Sequence, residues 1–156
     1  MKWTGEDMDM FTRAKEYIDT VILPLCPVSF QENLDRTVEM TDYISFLVHP
    51  LEKQFKGRLL LLPSFTYLKP KEGDLPIELL LNWEEELRAS GFNYIFYLTS
   101  DQEWQTKESA LNGSIVCMPS VPIRKHDLND RNTILEDQVK QIRSLFTEKW
   151  QQSKQV

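Results

Sequence analysis

Lys56-Gly57-Arg58-Leu59-Leu60-Leu61-Leu62-Pro63-Ser64 is the stretch on which the reading of this chain turns. Four consecutive leucines between a glycine and a proline are too few for a helix of their own. They suit a strand buried on both faces, as in a parallel sheet covered by helices. Gly57 can end a preceding helix in the left-handed conformation. Pro63 has no N–H for a ladder and is expected to stop the strand at Leu62. The segment reads as a helix exit, a central strand, and a loop at the strand's carboxyl end.

Upstream, Thr4 and Asp7 form a weak capping box, with Trp3 and Met8 at staple positions. Phe11, Ala14 and Ile18 continue an apolar helical stripe to about residue 18. Thr20-Val21-Ile22-Leu23 reads as a short strand closed by Pro24. Ser29 and Glu32 suggest a second capping box, opening a helix with Leu34, Val38, Thr41, Ile44, Val48, Leu51 and Phe55 in period. Pro50 should kink that helix or split it near Leu47 to His49.

Downstream, Ser64 to Gly73 reads as irregular. Asp74 is expected to cap a helix with Pro76 in its first turn. That helix presents Leu80, Trp83 and Leu87 on one face, with Glu84, Glu85 and Arg88 elsewhere, and Gly91 ends it. Tyr94–Leu98 has the composition of a strand. Ser100 and Glu103 make a third capping box before a short helix with Trp104 and Leu111 on its apolar side. Ser114–Met118 is a fourth strand. A loop from Pro119 to Asn132 leads to a helix carrying Leu135, Val139, Ile142, Phe146 and Trp150, with a polar, frayed tail at Gln151–Val156.

Helices and strands therefore alternate, which argues for one three-layer α/β domain over residues 1–156, with a mainly parallel four-stranded sheet and helices on both faces. The preferred strand order is 2-1-3-4, flavodoxin-like within the Rossmann-like class, and its rival is 3-2-1-4. The leucine strand and Tyr94–Leu98 belong in or beside the interior of the sheet.

A 156-residue chain can bury roughly 70% of its unfolded surface without staples. Net charge is −6, and nine Asp or Glu lie between Glu72 and Glu108 against only Arg88 and Lys107. This reads as a solvated acidic face that repels nucleic acid and anionic membranes. No apolar window approaches the ~18 residues needed for direct membrane insertion. Cys26 and Cys117, with no leader pattern before them, fit a reducing cytoplasm.

Glycines point away from phosphate chemistry. Gly57, Gly91 and Gly113 each lie between a helix and the next strand, whereas a nucleotide fold needs them between strand and helix. His49 and His126 are isolated and neither cysteine has a partner at ligand spacing, so no metal, cofactor or catalytic residue is expected. There is no G-x-S-x-G elbow. Polar residues do recur at the strand carboxyl ends, where open α/β sheets bind ligands. Ser64, Thr99, Ser100, Asp101, Ser120, Arg124 and His126 form the candidate ligand set, with Asp101 accepting, Arg124 pairing an anion and His126 moving a proton. Helix capping by Ser100 is the competing explanation for that hydroxyl.

Met1-Lys2-Trp3, Ala14-Lys15-Glu16-Tyr17-Ile18-Asp19-Thr20 and, above all, Gln54-Phe55-Lys56-Gly57-Arg58 with the leucine run through Pro63 resemble the YpiF-like group of uncharacterised proteins from Bacillus-type bacteria. The resemblance brings no catalytic residues with it. It implies an accessory role near a menaquinol–cytochrome c reductase, through gene neighbourhood alone.

Two functions are weighed. The first is an accessory or protein-interaction domain, monomer or homodimer, with an as yet unknown partner docked through whichever of Trp3, Trp83, Trp104 and Trp150 is exposed. The second is a small-molecule-binding protein or enzyme with its site at the strand ends. For the second, the loop Pro119–Asn132 is expected to close as a lid that brings Arg124 or His126 within reach of Asp101 or of a bound anion, the alternative being an exposed basic loop whose charges meet only water.

Overall fold

A computed structural model describes residues 1–69 and 74–154. Five strands, β1 (Thr20–Val28), β2 (Leu59–Leu61), β3 (Phe65–Leu68), β4 (Tyr94–Thr99) and β5 (Ser114–Cys117), alternate with four helices, α1 (Gly5–Ala14), α2 (Leu34–Gln54), α3 (Ile77–Ala89) and α4 (Leu128–Lys154). Short 3₁₀ helices cover Lys15–Tyr17, Gln102–Ala110 and Ile123–Lys125. Every pairing is parallel, in the order β2-β1-β4-β5, with β3 also on β1. This is the expected flavodoxin-like order, with one strand added.

The leucine run shows why the sheet is buried twice over. Leu59 and Leu61 enter one core with Ile22, Phe96 and Val116, packed under α2 and α4. Leu60 and Leu62 enter the other with Val21, Ile95 and Tyr97, packed under α1, α3 and the 102–110 segment. Alternate side chains of one strand thus feed two layers, the three-layer outcome expected for apolar parallel strands. The Leu135, Val139, Ile142, Phe146 and Trp150 stripe of α4 is buried as its spacing required. Among the described residues no helix is long and apolar enough to cross a membrane.

Proline misled the strand boundaries. β1 does not stop at Pro24 but continues to Val28. The carbonyls of Ile22 and Val28 accept from Leu62 and Lys69 N–H groups, so even-numbered residues of β1 face the β2/β3 side. Pro24 faces the point where β2 has ended and β3 has not begun, since the register passes from Ile22↔Leu61 to Leu25↔Phe65. Its missing N–H falls opposite that one-residue bulge. Pro27 faces the β4 side, beyond the Pro24↔Leu98 pair that ends β4's ladder, and so loses nothing. Pro63 likewise sits in the bulge, after which the supposedly irregular segment resumes as β3. Residues 70–73 of that segment, and 155–156 of the tail, lie outside the described residues.

Other expectations are corrected. α2 runs unbroken through Pro50, opens with Asn33 rather than a Ser29 box, and has no side-chain cap. α1 ends at Ala14, four residues early. Pro76, not Asp74, stands at the start of α3. Asp101, not Ser100, caps the 102–110 segment, which is 3₁₀ rather than α. α4 starts at Leu128, capped by Asp127 accepting from the Asp130 N–H (2.8 Å), and stays helical to Lys154, where fraying was expected. Of the glycines read as helix ends, Gly91 has a positive φ of 100°. Gly113 serves close approach instead: a Cβ there would lie 2.7 Å from Tyr97 Cε2 and 3.0 Å from the Ile95 carbonyl.

Candidate functional site

The chain turns away from β4 at Thr99-Ser100-Asp101, and all three residues are buried. The Thr99 hydroxyl accepts from the Asp101 N–H (3.0 Å), a local turn that fixes the carboxylate's direction. Asp101 then collects donors from β3 and its own helix. Tyr67 Oη donates to Oδ2 (2.6 Å), Lys69 Nζ spans both oxygens (2.8 and 2.9 Å), and the Glu103 N–H donates to Oδ1 (3.2 Å). Trp104 Nε1 in turn donates to Tyr67 Oη (2.8 Å), its ring edge-on to the phenol at 5.4 Å. Lys69 reaches a second carboxylate at Glu103 Oε1 (3.2 Å).

A cavity of about 250 Å³ opens beside this network. Asn33, Arg36, Thr37 and Met40 of α2 form one wall, and Lys69, Asp101, Gln102 and Glu103 the other. It lies along the first two turns of α2, the 21-residue helix that follows β1. Glu103 Oε2 is buried without a hydrogen-bond partner among the described residues. The Arg36 guanidinium has no ion pair among them either, so one wall carries a positive charge, and the other carries Glu103, whose Oε1 is paired with Lys69.

Titrating groups around the strand ends are held protonated. Burial, and then the bond to Asp101, pushes the Tyr67 phenol far above its usual range. Burial raises the Cys26 thiol, opposed by neighbouring hydroxyls of Ser64 and Thr41. Cys117 is raised by burial and then by the charge of Asp101. None of these is an activated nucleophile, which needs a lowered pKa or an adjacent base.

The candidate set named from sequence is divided by the fold. Thr99, Ser100 and Asp101 are together, but the buried Ser100 hydroxyl has no partner among the described residues. Ser64 is exposed on a different groove, beside Trp3 and Trp83. Ser120 donates to Glu39 on α2 (2.9 Å). Arg124 forms a two-bond pair with Asp42 (2.5 and 2.9 Å), its guanidinium 5.0 Å from the centre of the Phe46 ring. His126 is half-buried at the end of the Ile123–Lys125 turn. The loop after β5 is thus clamped on α2, and the cation at Asp101 is Lys69, not Arg124. Of the two residues expected to reach Asp101 or a bound anion, Arg124 is taken up by Asp42, and neither it nor His126 bonds to Asp101.

Tyr67, Lys69, Arg36, Glu103 and Asn33 were missed. A signal for Tyr67 was present: Phe65-Thr66-Tyr67 has the aromatic and β-branched composition of a strand.

The residues that build the cavity lie within 9–150, the span matched by a family model described as protein of unknown function (DUF2487). The chain belongs to the DUF2487 family. A relative, the uncharacterized protein YpiF of Bacillus subtilis strain 168, is 29% identical over 150 residues, covering 96% of this chain and 98% of its own. No solved structure matches. The DUF2487 match takes in all five strands and both walls of the cavity.

Proposed function

We propose that this chain is a non-catalytic cytoplasmic binding protein whose strand-end cavity takes a small zwitterion, a molecule carrying both a carboxylate and an amine. One observation carries the reading: the cavity sets Arg36, which has no ion pair among the described residues, across from the carboxylates of Glu103 and Asp101. Arg36 would hold the ligand carboxylate, while Glu103, with Asp101 behind it, would accept from the amine. Asp101 itself already takes four hydrogen bonds from Tyr67, Lys69 and Glu103, so it is poorly placed to remove a proton. About 250 Å³ suits a molecule the size of an amino acid. The two free thiols and the net charge of −6 support a reducing cytoplasm without membrane or nucleic-acid contact.

The test is a thermal-shift panel of the common amino acids and their amines and acids lacking one charge. A ligand at a hundred times its Kd stabilises by about 2.7 kcal/mol. The shift should need both charges, vanish in Arg36→Gln and weaken in Glu103→Gln. A panel in which no zwitterion raises Tm, or in which Arg36→Gln responds like wild type, overturns the reading.

A second reading, an accessory interaction domain, is favoured by the two tryptophans expected to be core or staple and found exposed. Trp3 is 56% and Trp83 42% accessible, and both line one apolar groove, while Trp104 and Trp150 are buried. Paired exposed tryptophans are the residue type most enriched at interface anchors.

A further inference from the structure

β2 and β3 are two halves of one outer sheet edge, and they are finished differently. On β2 the outward groups are used: the Leu61 N–H donates to the Met1 carbonyl (2.7 Å), and the Leu59 carbonyl accepts from the Met1 ammonium (2.6 Å). On β3 the Lys69 N–H donates to Val28, so residues 65, 67 and 69 turn their backbone to β1, and Thr66 and Leu68 turn theirs outward. Neither residue's N–H or carbonyl has a partner among the described residues. Leu68 is 72% exposed there. Native edges are ordinarily blunted by charge, proline or cover, and Phe65-Thr66-Tyr67-Leu68 contains no charge and no proline.

Apolar grooves lie near this edge. One of about 420 Å³ is lined by Trp3, Leu62, Phe65 and Trp83. The other, about 300 Å³, is lined by Val28, Phe30, Leu34 and Val38, where Val28 is the register partner of Leu68.

From the unpaired backbone groups and the two grooves, we infer that β3 docks an extended, apolar peptide segment of a partner protein by strand addition. The inference rests on the interaction reading, not on the cavity at Asp101. Open donors and acceptors at alternate residues specify a strand as the occupant, and grooves beside it specify large apolar side chains on both of the strand's faces. A second copy fits less well. Pairing through its own β3 would present Phe65 and Tyr67, which already pack into that copy's core, and would leave the larger groove empty. The net charge of −6 favours a segment flanked by lysine or arginine.

The probe is a synthetic peptide with a Val-Phe-Val-Phe-Val core and two lysines at each end, titrated into the isotope-labelled full chain. Amide signals of Thr66 and Leu68 should shift, and their hydrogen exchange should slow by about tenfold or more. N-methylation of the core amides in one alternating register should abolish binding, and in the other leave it within about threefold. Thr66→Pro removes an outward N–H and should lose at least about tenfold in affinity, while Thr66→Val keeps it. Replacing the flanking lysines with glutamates should weaken binding. Four results overturn the inference: no binding at millimolar peptide; equal binding of both N-methyl isomers; protection of Thr66 without peptide in a sedimenting dimer; or changes confined to Trp3 and Trp83. The last would remove strand addition while leaving the interaction reading standing.

Discussion

Two buried carboxylates are solved in opposite ways in this protein. Glu84 on α3 is 2% accessible and has no cation within ion-pair distance among the described residues. Its oxygens accept from Tyr97 Oη (2.7 Å), the Gly113 N–H (2.8 Å), and the Asn112 N–H and Nδ2 (3.0 and 3.1 Å). Asp101 is as buried, yet is neutralised by Lys69 and borders a cavity. Both also take a phenol. A carboxylate closed in by backbone amides of a helix-to-strand turn is a clasp, since every partner is itself part of the fold. One held by a side-chain cation at a cavity wall can exchange part of its shell for water or ligand. The difference separates a structural acid from a candidate functional one where burial alone does not.

The comparison breaks first at Glu84. Glu84→Ala leaves the Tyr97 hydroxyl and two turn amides without acceptors, and should cost on the order of 3–5 kcal/mol in urea unfolding. Gly113→Ala attacks the same clasp from the other side, driving a Cβ into Tyr97, and should cost about 1–3 kcal/mol. A Glu84→Ala loss under 1 kcal/mol would show that the turn finds other partners and that the clasp is not one.

Lys69→Met should be gentler. It strips the cation from Asp101, but Tyr67 and the Glu103 N–H remain and cavity water can reach the exposed oxygen, so we expect about 1–2 kcal/mol. Zwitterion binding should change with it, whereas Glu84→Gln leaves binding intact. Equal stability losses at the two sites would erase the distinction.

The sheet order and both cores were legible because the leucine run, the β4 aromatics and the α4 stripe each bury a face whose period shows in the sequence. Glu84 was not, although it lies on the Leu80–Leu87 stripe. It was placed with Glu85 and Arg88 on a solvated face, and Trp83 was put on the core side, a rotation of one residue. A glutamate on an apolar stripe makes sense only once Tyr97 and the 112–113 turn are in place, and those are tertiary. Asp101 was legible as a strand-end acid, because topology fixes that position. Its partners were not, because the segment after Pro63 was read as irregular when it resumes as β3 at Phe65. Arg124 failed for the related reason that adjacency in sequence says nothing of which acid on α2 lies nearer.

The smallest effect lies at alkaline pH and compares the two phenols. Burial and then the adjacent carboxylate raise the pKa of Tyr97 and of Tyr67, and burial alone pushes Tyr43 up to about 12. Each phenol is therefore protonated in the fold at a pH where the unfolded chain, near 10, has begun to lose the proton. Stability from these shifts is complete below pH 10 and falls as pH rises beyond it, because the unfolded state then binds fewer protons than the native one. Unfolding midpoints from pH 8 to 11 should decline for wild type and flatten in part for Tyr97→Phe and for Tyr67→Phe. The cavity makes the second differ: ligand at saturation should leave the Tyr97 contribution unchanged and steepen that of Tyr67, because binding beside Asp101 excludes the water that would hydrate its phenolate. A slope insensitive to both substitutions would mean that neither phenol's pKa is raised in the fold, and the two phenols would lose their part in the comparison.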